Sequence, residues 1–227
     1  MKLIKLWMLL MTGATLSTTF LQAQSVNWAN ATTDYKHQLN LNVGWDYGLG
    51  VGAGYSYRLR STMPVLLNAT YAFPLGNKLF DDFKTRVGAQ VRVFNFGGLA
   101  FAAQVHGVFR RYGSPSVRLL NFGSDMSGVI GYYRQKWFVA GELGFDKAIV
   151  TNFKHSKAFK ENFPGVEDGW YEPSTGGNFY YNLQAGYSFK QSDVYIKAGM
   201  VLTQDFKTTP TVPFSAQVGY NIKLGKR

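Results

Sequence analysis

The sequence predicts an all-β protein, an up-and-down antiparallel transmembrane β-barrel of about ten strands, within a range of about eight to twelve. Three observations lead to this fold class. Apolar and polar residues alternate from His37 to Leu224. Most alternating stretches have about the ten residues that a tilted strand needs to cross a bilayer. Short connections between these stretches alternate with more variable ones, as they do at the two ends of a membrane barrel.

The N-terminus has the pattern of a cleavable signal peptide, which we place at residues 1–23. Lys2 and Lys5 give a positive start, an apolar stretch follows, and Leu21-Gln22-Ala23 offers a cleavage site. Residues 24–36 are then expected to form an N-terminal periplasmic segment, and residues 37–227 the barrel. No later stretch has the roughly 18 uninterrupted apolar residues of a helical membrane span.

Ten strands account for the alternation in the rest of the chain. We place them at 37–47, 49–60, 63–73, 83–94, 99–111, 117–133, 137–147, 178–189, 193–203 and 212–224. The connections around residues 60–63, 95–98, 134–136 and 190–192 are short and fall on one side of the sheet. We expect that side to be periplasmic, because outer-membrane barrels have short periplasmic turns and longer outer loops. A change of parity between Val117 and Leu120 predicts a bulge in the sixth strand.

The two faces of the strands differ in polarity, and this difference indicates which environment each face contacts. One face carries large apolar residues such as Leu183 and Ile196, while the other carries small or neutral polar ones such as Asn182 and Gln184. Because hydrocarbon offers no hydrogen-bond partner to a backbone, only a closed sheet can span it. We therefore expect the apolar face to contact lipid and the polar face to fill the lumen. Aromatic residues near the strand ends predict two interfacial belts, with Tyr133 in one of them.

These features together resemble the small outer-membrane β-barrel proteins of Gram-negative bacteria. The resemblance rests on the signal peptide, the alternating strands with aromatic ends, and the final strand FSAQVGYNIKL, and it covers residues 37–227. It implies export through the periplasm, location in the outer membrane and contact with outer-membrane lipid. Its motifs are architectural and carry no chemistry.

Charged residues on the polar face predict an ion-pair network inside the lumen. An unpaired charge there would cost several kcal/mol, so each carboxylate is expected to find a cation. Cations outnumber carboxylates on this face, which also leaves open a narrow pore favouring anions. The predicted network consists of Asp46, Lys84, Arg86, Arg92, Arg110, Glu142, Asp146 and Lys197.

Composition and motifs favour a function without catalysis. The chain of 227 residues has no cysteine, which excludes disulfides, thiol catalysis and cysteine-bound zinc. Its net charge of +11 comes from scattered cations, so nucleic acid is not an expected partner. No motif predicts a cofactor or a metal site. We expect a structural, accessory or narrow-pore role in the envelope.

Two other functions remain open from the sequence. One is a barrel-embedded outer-membrane hydrolase, a protease or lipid deacylase, which could use His106, Glu142 and Ser127. The other is a secreted soluble barrel that binds a ligand inside, with the apolar face lining its cavity.

The stretch 148–177 is the most individual part of the chain and is expected to be a long outer loop. Its basic half precedes an acidic half, and aromatic residues are spaced through both. Long ordered loops often carry function. If the chain contacts an envelope protein partner or a ligand, we expect the contact here, through Phe159, Phe163, Trp170 and Tyr171.

Overall fold

The computed structural model describes residues 24–30, 35–45, 49–75, 82–173, 176–207, 210 and 213–225. The predicted signal peptide lies outside these residues. Among them, no helix has the length and apolar character needed to cross a bilayer. The elements are β1 (His37–Trp45), β2 (Leu49–Leu59), β3 (Val65–Pro74), β4 (Phe83–Phe96), β5 (Leu99–Gly113), β6 (Val117–Tyr133), β7 (Trp137–His155), α1 (Lys157–Asn162), β8 (Gly169–Tyr171), β9 (Gly177–Ser188), β10 (Ser192–Thr203) and β11 (Phe214–Leu224).

Ten of the strands close into one antiparallel barrel. Strands β1 to β7 pair in sequence order, β7 then pairs with β9, and β9 continues through β10 to β11. Pairing of β11 with β1, from His37 opposite Leu224 to Trp45 opposite Ala216, completes the cylinder. The short strand β8 adds only to the outer part of β7. The predicted up-and-down barrel of about ten strands is confirmed.

The two ends of the barrel differ in their connections. Residues 60–64, 97–98, 134–136 and 189–191 connect strands at one end, which we call the short-turn end. The other end, the long-loop end, includes the 156–176 connection with α1 and β8. Strand β7 has 19 residues, so at roughly 3.3 Å per residue and a tilt of about 40° it spans about 48 Å along the barrel axis, against about 30 Å for the hydrocarbon layer. The wall of β5 to β7 therefore extends beyond the hydrocarbon layer at the long-loop end.

The outside of the barrel is apolar, as the alternation predicts. Leu183 is 72 % exposed, Leu143 70 %, and Val87 and Ile196 each 59 %. Their neighbours in sequence on the opposite face are buried, for example Asn182 at 2 %. A continuous apolar exterior of this kind is what hydrocarbon requires and what water disfavours. The chain is therefore a transmembrane barrel with an inverted distribution of polarity.

Aromatic rings surround the exterior at two levels. Near the long-loop end, ring contacts run from Tyr71 through Phe83, Phe109 and Phe122 to Trp170, with centroids 4.7–6.0 Å apart. We call this row the outer girdle. At the short-turn end the exterior carries Tyr132, Trp137, Tyr187 and Phe189.

One predicted member of the aromatic belts is placed wrongly by the sequence. Tyr133 is only 4 % exposed and stacks on Phe138 inside the barrel, while its neighbour Tyr132 points outward. Odd-numbered residues of β6 face inward along the whole strand, so Tyr133 belongs to the lumen. In this part of β6 the inward residues Val129 and Tyr133 are as apolar as the outward ones. Hydropathy alone therefore did not indicate which residues face the lumen.

The register shift that involves β6 lies midway along its pairing with β7, and not near Val117 as expected, and a second register shift at Val93 lies between β4 and β5. Phe122 pairs with Val150 and Gly123 with Ala148, so Ile149 is the extra residue and belongs to β7. An extra residue reverses the facing of the residues that follow it. Strand β7 then continues to His155, past the predicted end at residue 147, because its outer part still pairs with β6.

Candidate functional site

Residues 24–30, which we call the N-terminal segment, fill the lumen at the short-turn end. Trp28 is 2 % exposed and Val26 6 %. Both pack into an apolar cluster inside the wall. The described part of the predicted periplasmic segment thus begins inside the barrel, at the end predicted to be periplasmic. The cluster around Val26 and Trp28 consists of Leu66, Ala100, Ala102, Val129, Tyr133, Phe138, Ala140 and Tyr195.

Hydrogen bonds from the wall fix the N-terminal segment in register. Asn27 Nδ2 donates to Arg134 O at 2.9 Å and to Ser188 Oγ at 2.8 Å. Arg92 Nη1 donates to the carbonyl of Trp28 at 2.9 Å. The wall thus satisfies a backbone carbonyl that burial would otherwise leave without water.

The first residues of the segment also bond to strands β2 and β11 of the wall. Asn221 Nδ2 donates to Ser25 O at 2.8 Å, and Gln24 Nε2 donates to Ser56 Oγ at 2.5 Å. Strands β2 and β11 supply these partners, while β4, β9 and the β6–β7 turn supply the others. The segment therefore bridges the barrel and is not attached to one side of it.

Above the N-terminal segment, the lumen is crossed by a network of buried ion pairs. Lys84 Nζ lies 3.0 Å from Asp146 Oδ2, and the guanidinium of Arg110 donates to both oxygens of the same carboxylate. The side chains of all three residues are at most 8 % exposed. Two cations on β4 and β5 thus share one carboxylate on β7.

Asp125 is a second carboxylate in this network, and the sequence analysis did not identify it. Arg86 Nε lies 3.0 Å from Asp125 Oδ2, and the Tyr180 hydroxyl donates to Asp125 Oδ1 at 2.7 Å. Asp125 lies directly opposite Asp146 in the β6–β7 register. Like charges in that position repel, and the nearby cations Lys84, Arg86 and Arg110 offset this repulsion.

A third group of charges lies on the other side of the lumen. Lys197 Nζ is 2.9 Å from Glu142 Oε2, and the carboxylate of Glu142 also accepts from Ser127 Oγ and from Asn182 Nδ2, each at 3.2 Å. Nearer the short-turn end, Lys223 pairs with Asp193 at 2.7 Å.

Of the eight predicted lumen charges, six are buried in ion pairs inside the barrel. Arg92 lies apart and holds the N-terminal segment. Asp46 falls outside the described residues. Sequence reasoning missed Asp125 and Asp193, although Asp125 shares the inward parity of Ser127. The six are Lys84, Arg86, Arg110, Glu142, Asp146 and Lys197.

Two buried tyrosine rings in the lumen lie over glycines of the neighbouring strands. Tyr195 lies over Gly219 of the neighbouring strand, where an added Cβ would come within 2.1 Å of the Tyr195 ring. Tyr180 lies over Gly144 in the same manner, with a corresponding distance of 2.2 Å. The small lumen residues predicted from the sequence thus make room for large rings.

The residues considered for a hydrolase do not share one set of contacts. His106 Nε2 is 2.8 Å from Asn68 Oδ1, whereas Ser127 donates to Glu142. Both His106 and Glu142 are at most 3 % exposed. No group of three or more potential metal ligands is found among the described residues.

The 156–176 connection folds back on the wall and forms an ordered rim. Strand β8 pairs with Thr151 to Phe153 of β7, and Ser156 caps α1 by accepting from the amide of Phe159. Of the four predicted contact residues, three lie in one ring cluster and Trp170 lies apart. The cluster comprises Phe153, His155, Phe159, Phe163 and Tyr171, with adjacent centroids 4.8–6.3 Å apart.

Strand alternation separates Trp170 from this cluster. Trp170 pairs with Asn152 on the outward face, and its ring lies 6.0 Å from that of Phe122 in the outer girdle. Tyr171 pairs with the buried Thr151 and so shares the inward face. The rim therefore presents two aromatic surfaces, one toward the mouth of the barrel and one toward the lipid side.

Asp168 links the ends of the rim. Its Oδ1 accepts from the amide of His155 at 2.8 Å, and its Oδ2 lies 2.6 Å from Lys160 Nζ. The backbone hydrogen bond from His155 and the contact with Lys160 hold the pKa of the Asp168 carboxyl well below its usual range. The carboxylate is therefore ionised at neutral pH and ties β7 to α1.

Comparisons with known proteins give distant structural likenesses. No family model matches the chain, and no curated protein matches it. A solved KdgM porin aligns with 82 % of this chain and 99 % of its own, at 11 % identity and a TM-score of 0.43. The same porin in complex with disordered oligogalacturonate aligns at 10 % identity and 0.42, over 82 % and 99 % of the two chains. OprD of Pseudomonas aeruginosa aligns at 12 % identity and 0.17, over 85 % of this chain and 65 % of its own. TM-scores this low carry no inference about the ligands of this chain.

Proposed function

We propose that the protein is a non-enzymatic barrel of a Gram-negative outer membrane, closed at rest, that anchors an ordered rim on the outer surface. The apolar exterior and its aromatic rows support the membrane location. The short-turn end then faces the periplasm, and the rim of β5 to β8 with α1 faces outward.

Burial of the lumen side chains carries this proposal. Lys84 and Arg86 are each 1 % exposed, Trp28 2 % and Asn221 0 %. A water-filled channel would leave such polar side chains hydrated, as they are in porins. The ion pairs and the N-terminal segment instead occupy the cross-section of the barrel, as expected when about ten strands enclose little more than their own side chains.

Single-channel recording in planar bilayers tests the closed state. The purified wild-type protein is expected to insert without a steady open conductance. Folding is verified by a heat-modifiability gel, in which the folded barrel migrates differently from the unfolded chain, and insertion is verified by flotation of the protein with lipid vesicles. A wild-type barrel with a constant open channel would contradict the proposal. Fractionation of the native cells tests the location independently.

A narrow, gated anion pore is a second candidate, favoured by the N-terminal segment. This segment is a separate piece of chain that enters the barrel from the short-turn end, and its withdrawal would vacate the space occupied by Trp28. The lumen left behind would carry the cations Lys84, Arg86, Arg110 and Lys197 against three carboxylates, Asp125, Glu142 and Asp146. Such an excess favours anions.

Removal of the segment separates the two candidates. Deletion of residues 24–30 is expected to produce an anion-selective conductance if the segment is a gate. In the full-length chain, an Asn27→Cys/Ser188→Cys pair joined by a short thiol-reactive crosslinker with reducible disulfide bonds would lock the gate and release it on reduction, because the two native side chains are in hydrogen-bond contact and the chain has no other cysteine. A deletion variant that folds and remains silent would exclude the pore.

A further inference from the structure

We propose that the exported chain begins at Gln24 and that this residue is cyclised to pyroglutamate, which allows the N-terminus to be buried in the lumen. The inference rests on the proposed export to the outer membrane and on the expected cleavage after Ala23. It assigns a covalent modification to the first residue of the N-terminal segment, whether or not the segment acts as a gate.

The N-terminal segment runs from the short-turn end toward the middle of the barrel. Asn30 Nδ2 donates to the carbonyl of Gln135, in the β6–β7 turn, at 2.7 Å. At the other end of the segment, the carbonyl of Gln24 lies 3.5 Å from Nε2 of Gln90, a residue in the middle of β4. Gln24 is 1 % exposed. Cleavage after Ala23 would therefore leave the α-amino group of the chain inside the barrel.

A free α-amino group is unfavourable in this position. Its ordinary pKa is about 7.7–8.0, so it carries a positive charge at neutral pH, and an unpaired charge away from water is strongly destabilising. Gln24 contacts the neutral side chains of Ser56 and Gln90. The four lumen carboxylates described above each have a lysine or arginine nitrogen at 3.0 Å or less. An N-terminal ammonium would therefore compete with these cations for the same carboxylates.

Cyclisation of an N-terminal glutamine removes this charge without any other reactant. The lone pair of the α-amino nitrogen attacks Cδ of the same side chain, and a C–N bond closes a five-membered ring. The bond from Cδ to Nε2 breaks, and the departing nitrogen takes up the proton that the α-amine loses, so that one ammonia leaves. No atom is oxidised or reduced. The α-nitrogen becomes a lactam N–H, which is neutral at every physiological pH, as in other blocked termini.

The surroundings of Gln24 suit the ring as well as the open side chain. Gln24 Nε2 donates to Ser56 Oγ at 2.5 Å, whereas Gln24 Oε1 is buried and has no hydrogen-bond partner in the part of the chain that the structure describes. Nε2 is lost in the reaction, but a serine hydroxyl can donate as well as accept. Ser56 can therefore turn its hydrogen toward the ring carbonyl, which gives a partner to the oxygen that lacks one.

Mass spectrometry of the native protein tests the modification. The protein is extracted from the outer-membrane fraction and digested with trypsin, which releases residues 24–36 because Lys36 is the first basic residue after Ala23. We expect this peptide at a mass one ammonia below that of its unmodified form. A synthetic peptide of the same sequence with a free N-terminus is carried through the same preparation and should keep its mass, which excludes cyclisation during handling. A free amine at Gln24, or a chain that begins at another residue, would overturn the inference.

Refolding compares the two forms of the N-terminus directly. A chain of residues 24–227 is purified unfolded with a free Gln24, one half is treated with glutaminyl cyclase, and both halves are folded into lipid vesicles. At pH 7 the cyclised chain is expected to unfold at a higher urea concentration. The difference should shrink above about pH 9, where the free amine of the unfolded chain is already neutral. A Gln24→Ser chain cannot be cyclised, so the same treatment should leave its unfolding unchanged. Equal unfolding of the two wild-type halves at pH 7 would overturn the role of the ring in burial.

Cell fractionation keeps this inference separate from the proposed function. A free amine at Gln24 in a protein found in the outer membrane would overturn the modification and leave the location standing. Pyroglutamate at Gln24 in a protein absent from the outer membrane would overturn the location and leave the modification standing.

Discussion

Lys84 and Asp146 lie on β4 and β7, with two strands between them along the wall, yet Lys84 Nζ is 3.0 Å from Asp146 Oδ2. The pair therefore crosses the lumen. Arg110 binds the same carboxylate from β5. One carboxylate thus joins three strands through the interior, in a place where an open channel would have water.

Replacing this carboxylate should destabilise the barrel strongly. Asp146→Asn keeps the size of the side chain but leaves Lys84 and Arg110 buried without their anion. We expect a loss of about 3–5 kcal/mol in the free energy of unfolding, the cost of breaking a buried pair from one side. Urea unfolding from lipid vesicles, followed by tryptophan fluorescence, measures it. Glu161→Gln, on the exposed face of α1, is the control and should change little. A loss below about 1 kcal/mol for Asp146→Asn would show that the pair is hydrated, as exposed pairs are.

Trp28 should contribute to stability in the manner of a core residue. It is 2 % exposed, so Trp28→Ala creates a cavity among the apolar side chains of the lumen. The expected loss is about 3–5 kcal/mol in the free energy of unfolding. Trp170→Ala is the matched control, because Trp170 is 56 % exposed. Equal effects from the two substitutions in the same unfolding assay would mean that the N-terminal segment does not occupy the lumen in solution.

Much of the wall could be predicted from the sequence, because every outward residue of the membrane band contacts the same apolar hydrocarbon and apolar residues therefore recur at every second position. The alternation of β9 and β10 is therefore unbroken, and their predicted ends differ from the observed ones by at most one residue. In β7 the alternation is interrupted at Ile149. Even-numbered residues face the lumen before this position, and odd-numbered residues face it beyond this position. Since the residues beyond it alternate in the opposite phase, Thr151 to His155 resembled a loop.

The lumen could be predicted only in part, because its contacts join residues distant in sequence. Alternation along their strands correctly assigned Lys84 and Glu142 to the inward face. No local sequence pattern, however, indicates which carboxylate pairs with which cation. Asp125 was available from its parity with Ser127. The N-terminal segment left no signal of this kind, since it has no strand period, and its place follows only from the apolar space that the closed wall leaves near Tyr133.

A charge on the lipid face should cost stability according to its depth. Leu183, in the middle of β9, is 72 % exposed, so Leu183→Arg places a cation in hydrocarbon. We expect a loss of about 2–4 kcal/mol at this depth, and at most about 1 kcal/mol for Leu224→Arg, since Leu224 is the last residue of β11. Urea titration in vesicles compares the two. Similar costs at both positions would argue against a bilayer around this band.

Acid should loosen the rim through Asp168. The pKa of this carboxyl is lowered in the folded protein, so its contacts stabilise the rim above the unfolded pKa of about 3.9 and are lost as the pH falls toward the folded value. Hydrogen exchange of the His155 amide, which donates to Asp168, should therefore stay slow from pH 7 to about pH 4 after correction for intrinsic rates, and quicken below it. Asp168→Asn should remove this acid transition. A transition of the same size in Asp168→Asn would assign it to another group.

Spin-label accessibility in vesicles tests most directly that the apolar face meets lipid while the polar face is sealed inside. Single labels at Leu183→Cys, Ile196→Cys and Gln184→Cys report the two faces in a chain that has no other cysteine. The labels at 183 and 196 should collide freely with oxygen and hardly with a water-soluble nickel complex, while the label at 184 should be shielded from both. A nickel complex that reaches the labels at 183 and 196, with oxygen favouring the label at 184, would contradict the account.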